Sequence, residues 1–155
     1  MQDFKHIRAW QRAHALSIAL HKLADSFGGH AHLKTQLTRA ADSIASNIVE
    51  GCGADTNKEF ARFLDMSIKS ANETEYRLLT ARDLALISHP CWERHSTETV
   101  EIRKMVYAYR KRVLESPRRP DDSVADSAPE DTSPADSPPA APSAAPDDST
   151  NDSME

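Results

Sequence analysis

The sequence predicts an all-α fold: an antiparallel up-down-up-down four-helix bundle over residues 1–116, followed by a disordered acidic tail over 117–155. Three observations carry this expectation. Apolar residues recur at alternating steps of three and four through four long segments, the spacing of a buried helical stripe. No segment sustains period-two alternation, so no strand is expected. Composition changes abruptly at Pro117: eight of the nine prolines lie from there onward, among Ala, Ser and Asp. A segment with so few large apolar residues cannot offset the entropy of ordering it.

The first helix is carried by Ala9, Ala13, Leu16, Leu20, Leu23 and Phe27, and Gly28-Gly29 offers the backbone freedom that ends it. A second apolar row on that helix, Ile7, Trp10, His14 and Ile18, exceeds what one bundle core needs. A monomer would expose it, so it predicts a homo-oligomer. The second helix runs from about Ala31 to Glu50 on Leu33, Leu37, Ala41, Ile44 and Ile48, and Gly51-Cys52-Gly53 stops it. Thr56 and Glu59 form a capping box for the third, which is expected to reach Ile87. Its stripe is Phe60, Leu64, Ser67, Ala71, Thr74, Leu78 and Ala81, small in the middle, so a neighbouring helix can approach closely there. The fourth starts near Pro90, capped by Ser88 or His89, and holds its register through Trp92, His95, Thr99, Ile102, Val106, Tyr109 and Val113. Short connections between long helices favour antiparallel neighbours.

Charge divides at the same boundary. The chain carries 19 Lys and Arg against 24 Asp and Glu, a net of −5. The segment from Pro117 holds ten acids and two arginines, −8, which leaves +3 on residues 1–116. No run of about 18 apolar residues offers a membrane span. The first residues alternate charged and apolar side chains, unlike a secretory signal, so the two cysteines, Cys52 and Cys91, are expected to be cytoplasmic thiols. Cys52, between two glycines, is expected to lie exposed at a helix end.

Few groups are arranged for catalysis. The bundle metal pattern Glu-x-x-His is absent, and the seven histidines have no matching Cys or carboxylate cluster. His14 and His95 sit on semi-apolar stripes, where a packed histidine is the expectation. The four glycines form no phosphate-cradling loop. No catalytic residue, metal, cofactor or small-molecule substrate is therefore expected.

Two surfaces stand out instead. One is a polar row on the second helix, Gln36, Arg39, Ser43, Asn47 and Glu50, set away from the Leu/Ile stripe. Glu50 sits in the last turn, against the helix dipole, which implies a positive partner on another helix or subunit. The other is a set of Lys and Arg able to track phosphates: Lys5, Arg8 and Arg12 on the first helix, and Arg103, Lys104, Arg110 and Lys111 on the fourth. Acids interrupt these stripes, and aromatic residues for base stacking are few.

The polar row lies within a recognisable run. Arg39 to Gly51 (RAADSIASNIVEG) resembles the signature of the small bacterial four-helix-bundle family, some of whose members are encoded in intervening sequences of 23S rRNA genes. Phe4 to Trp10, Leu33 to Gln36 (LKTQ), Lys58 to Leu64 (KEFARFL) and Ser70 to Glu73 (SANE) are similar to other stretches of that family. The likeness covers about residues 3–115, with departures at Gly28, Asp42 and Val49. It implies a bundle often assembled as a ring-like pentamer. It also implies kinship with the accessory protein of diversity-generating retroelements, which works with a reverse transcriptase and nucleic acid. The resulting expectation is a non-enzymatic oligomeric adaptor associated with RNA or DNA, or with a nucleic-acid-processing enzyme such as a reverse transcriptase. Arg8, Arg12, Arg103, Lys104, Arg110 and Lys111 are the candidate nucleic-acid contacts. Trp10, Gln36, Arg39, Asn47 and Glu50 are the candidate interface. The alternative is a structural or protein-interaction module with no nucleic-acid role.

Overall fold

The computed structural model describes residues 3–117. After a 3-10 turn at Phe4–His6 come α1 (Arg8–Ala24), a second 3-10 turn at Asp25–Phe27, α2 (Ala31–Cys52), α3 (Asn57–Asp83) and α4 (His89–Glu115). The helices run up-down-up-down, with α1 against α2 and α4, and α3 against α2 and α4. The expected tail beyond Pro117 lies outside the described residues.

The stripes named from spacing form the core. Leu33, Leu37, Ala41, Ile44 and Ile48 of α2 are buried, as are Phe60, Leu64, Ser67, Ala71, Thr74, Leu78 and Ala81 of α3. Each fully buried Leu, Ile or Phe contributes about 1.5–3 kcal/mol over leaving it exposed. Thr56 caps α3 by accepting the N–H of Glu59 at 3.0 Å. Ser88 caps α4 by accepting the N–H of Cys91 at 3.4 Å, with Pro90 in the first turn, where its missing N–H costs no hydrogen bond.

Where α2 leaves the core it meets α3 almost without clearance. A Cβ placed on Gly51 would stand 2.6 Å from Phe60 Cε2 and 3.1 Å from Phe63 Cβ. Higher up, the buried Ser67 hydroxyl donates to the carbonyl of Ile44 at 2.8 Å, joining the two helices directly. Small side chains in the middle of α3 permit this approach, as the sequence suggested.

Four expectations need correction. The third helix ends at Asp83, four residues before Ile87. Ala85 turns left-handed at φ 56°, its N–H bonding Arg82 O at 2.8 Å while Leu86 N–H bonds Ala81 O at 2.9 Å. This is a Schellman ending built without the usual glycine, so composition gave no warning. Lys5 lies in the 3-10 turn before α1 and shares no helix with Arg8 and Arg12. Cys52, expected to be exposed, is buried as the last residue of α2. The surplus row on α1 is partly consumed: Ile7 is buried, and Trp10 packs edge-on against Phe4 at 4.8 Å and stacks on His14 at 5.2 Å. Of that row, His14 and Ile18 are exposed.

His95 is buried in α4, and its pKa is held below the ordinary histidine value, chiefly by burial and secondarily by the charge of Arg94.

Two predictions follow from this packing. Gly51→Ala should lower unfolding stability by about 1–3 kcal/mol, because overpacking at Phe60 outweighs the better helix propensity of Ala. Ala85→Gly should raise it by roughly 0.5–1 kcal/mol, by removing left-handed strain. Urea denaturation of both variants reads these opposite signs; equal signs would refute the packing described.

A third prediction concerns pH. A depressed histidine pKa makes the unfolded chain the better proton acceptor. The stabilisation is therefore complete above the unfolded value of about 6.5, and is lost as pH falls through the lower folded value. The urea midpoint should fall as pH drops from about 6.5 to the lower folded value, level off below it, and fall less steeply in His95→Gln. Identical slopes would remove His95 as the cause.

Candidate functional site

Gln36, Arg39 and Ser43 of the polar row, with Asp42 and Ser46, line a groove of about 470 Å³ on α2 whose other wall is Ser70 and Glu73 of α3; Asn47 and Glu50 are not among its lining residues. Its middle is neutral and internally satisfied. The buried Asn47 amide donates to Ser43 O at 2.7 Å and Ser43 Oγ at 3.0 Å, and Ser70 Oγ donates to Ser43 Oγ at 3.1 Å. Ser70 Oγ also lies 3.0 Å from Met66 O; its single proton serves one acceptor at a time, and when it turns to Met66 the Ser43 hydroxyl can donate to Ser70 instead. Ser43, held by Asn47 of its own helix and met by Ser70 of α3, therefore joins the two helices as well as lining the groove.

The ends of the row are charged and exposed. Arg39 and Glu50 have no carboxylate or cationic partner among the described residues. They stand eleven residues apart on α2, about 16 Å by helix rise and nearly whole turns, so both lie on the same face. The sequence left Glu50 with a partner on another helix or another subunit, and the described part of the chain supplies none.

The other candidate surface behaves differently. Arg12 makes a two-pronged pair with Glu98, at 2.7 and 2.5 Å, which holds its guanidinium charge more firmly than usual. Arg103 Nη1 donates to Glu75 Oε2 at 2.5 Å and Asn72 Oδ1 at 2.6 Å. Lys104 meets Glu101 at 2.7 Å, and that contact draws the Glu101 carboxyl below its ordinary pKa. Arg110 Nε lies 2.6 Å from Asp65, and Lys111 lies 3.8 Å from Glu115. Of the six candidate phosphate contacts, Arg8 has no carboxylate partner among the described residues. A phosphate reaching the other five must displace a carboxylate.

One constellation went unnoticed in the sequence. Asp42 accepts the Ser17 hydroxyl, and its two oxygens each lie 3.0 Å from His21 Nε2. Ser, His and Asp are brought together, but the carboxylate stands between the other two. His21 is not positioned to take the Ser17 proton, so the arrangement lacks an activated nucleophile and instead clamps α1 to α2. The signal was Asp42 itself, an acid at the edge of an apolar helix face. Its partners lie on another helix and so could not be read locally. Among the described residues no group of three or more His, Cys, Asp or Glu side chains could hold a metal ion, and no helix is long and apolar enough to cross a membrane.

Comparison with known proteins bears on this geometry. A family model described as 23S rRNA-intervening sequence protein matches residues 5–108. A solved structure of a protein of unknown function, from the S23 ribosomal protein family of Bacteroides thetaiotaomicron, superposes with a TM-score of 0.62 at 24% identity. The alignment covers 66% of this chain and 98% of that chain, and at this identity it speaks to the fold alone. No curated protein matches the sequence.

Proposed function

The chain belongs to the 23S rRNA-intervening sequence protein family, and we propose that it is a non-enzymatic, self-associating adaptor that works by protein–protein contact through the α2–α3 face. The carrying observation is the contrast in charge satisfaction. Arg103, Lys104, Arg110 and Lys111 of α4 are paired with acids of the same chain, whereas Arg39 and Glu50 stand unpaired on one face with a satisfied polar seam between them. Arg39 needs an acid and Glu50 a cation, and each further copy of the chain brings both. Cyclic repetition of such a contact closes without leaving a free face. The ring-like pentamer implied by the family resemblance is the assembly we favour.

Light scattering tests this. Arg39→Glu and Glu50→Arg should each shift the assembled protein toward monomer, and the double variant should recover assembly, because the charges are exchanged rather than removed. Both sites are exposed, so each variant should keep wild-type helicity. A wild type that is monomeric at micromolar concentration overturns the self-association. Singles that dissociate with no recovery in the double remove the Arg39–Glu50 pairing.

Association with RNA or DNA is the second reading, favoured by cations left without a carboxylate partner among the described residues, Arg8, Arg39, Lys58, Arg62, Lys69 and Arg112 among them. Four phosphates engaged on a single strand would give a slope of log affinity against log salt near −3. On the adaptor reading, RNA binding should be weak with a shallower slope, and Arg103→Gln with Arg110→Gln should leave it unchanged. A slope near that value which collapses in the double variant would restore the α4 cations as the nucleic-acid surface and make this reading the first.

A further inference from the structure

A different surface lies at the end of the bundle where α1 begins and α4 finishes. Arg8, in the first turn of α1, and Arg112, in the last turn of α4, line one cleft of about 400 Å³ there. That is room for a small organic molecule, and more than a bare anion fills. Neither arginine has a carboxylate partner among the described residues, unlike Arg12, Arg103 and Arg110. Among the described residues no acidic side chain lines the cleft. Asp3 is turned to the preceding 3-10 turn, where it accepts the Lys5 N–H at 3.0 Å and stands 3.4 Å from His6 Nε2. The positive end of α1, whose first turn holds no acid, adds to the field of the two guanidiniums.

Much of the remaining lining is apolar and fixed. Ile7 and Ala9 are buried, and Met105 and Tyr109 pack against the core. The Tyr109 ring meets Phe60 edge-on at 5.5 Å, and the Arg112 guanidinium stands 5.8 Å from its centroid. Arg12 donates to Met105 Sδ at 3.4 Å, which orients that side chain. Two unpaired cations from two helices thus share a cleft with a preformed apolar surface.

We propose that this cleft binds a small phosphate monoester, its phosphate held by Arg8 and Arg112 and its apolar or aromatic group laid on Ile7, Met105 and Ala108. A monoester carries close to two negative charges near pH 7 and above, one for each guanidinium. Each planar fork of donors suits the phosphate oxygens. A carboxylate, or a phosphodiester of RNA or DNA, brings one charge to the same two cations. Inorganic phosphate leaves the apolar lining in water. The cleft shares no residue with the α2–α3 face, so the proposal stands or falls apart from self-association there.

Phenyl phosphate titrated into the isotopically enriched full chain at low salt tests this. Amide signals of residues 7–9 and 105–112 should shift and saturate, while those of residues 88–91 at the far end of α4 stay in place. Arg8→Gln with Arg112→Gln should weaken binding roughly ten-fold or more, and so should Ala108→Glu, which sets a carboxylate in the cleft. All three positions are exposed, so each variant should keep wild-type helicity. Inorganic phosphate and benzoate should each bind about five-fold more weakly or worse. No saturable shift at the cleft overturns the proposal, as does binding indifferent to both sets of substitutions. Equal affinity for inorganic phosphate, or for benzoate, overturns the choice of a monoester. Displacement of phenyl phosphate by a single-stranded oligonucleotide without terminal phosphate would assign the cleft to phosphodiesters and overturn the small-molecule form.

Discussion

Alpha-helices approach as closely as their side chains permit, and between α2 and α3 that limit is set by hydrogen atoms and hydroxyls. Gly51 has no Cβ to hold Phe60 away, and Ser67 is small enough for its hydroxyl to reach the backbone of α2 at Ile44. These contacts lie at two levels of the same helix pair, so they fix both separation and rotation. The rotation in turn aims Leu37, Ile44 and Leu64 into the core and leaves Arg39 and Glu50 outside. A larger residue at Gly51 would not merely crowd Phe60; it would tilt the lower end of α2, on which the Glu50 position depends.

The same closeness explains why the groove beside it is polar without being reactive. Helices this near cannot fit long apolar side chains at their outer seam, and buried hydroxyls and amides there must find partners. Ser43, Asn47 and Ser70 do so with one another and with backbone carbonyls. Their bonding capacity is largely used in holding the helices. What remains for recognition is the charged ends of the row, some three turns apart, a geometry suited to an extended macromolecular face more than to a small molecule.

The helices were legible because each buries one regular stripe, and periodicity records that stripe directly. The row Gln36, Arg39, Ser43, Asn47 and Glu50 was legible for the same reason. What spacing could not give was anything that depends on the register between helices. Arg103 meets Glu75 and Arg110 meets Asp65, so seven residues forward on α4 correspond to ten backward on α3, as antiparallel helices require. Without that register the α4 cations read as free. Trp10 misled for a related reason: its partner Phe4 lies in a 3-10 turn outside the helical period, so the aromatic looked surplus. The early end of α3 escaped because Ala85 takes a conformation that glycine usually announces.

Interhelical ion pairs of this exposed kind contribute about 0–1 kcal/mol each, too little to account for the stability of a core of this size. Their greater effect is on the surface potential. Each pair converts a cation that could attract phosphate into a local dipole whose field fades within a few ångströms. The part of the α3–α4 side held by Arg103, Lys104 and Arg110 is thereby quieted, while Lys58, Arg62 and Lys69 of α3 keep their charge unpaired. Pairing fails at Arg39 and Glu50 on α2 and at Arg8 and Arg112 at the foot of the bundle, as it does along the exposed side of α3. Net charge, which sums paired and unpaired groups alike, hides this distribution. A protein of modest overall charge can therefore direct its partners through two small patches, and these two differ in kind. The α2 patch carries both signs and can complement another copy of itself. The cleft at the foot presents Arg8 and Arg112 with no carboxylate in its lining, and so favours an anion.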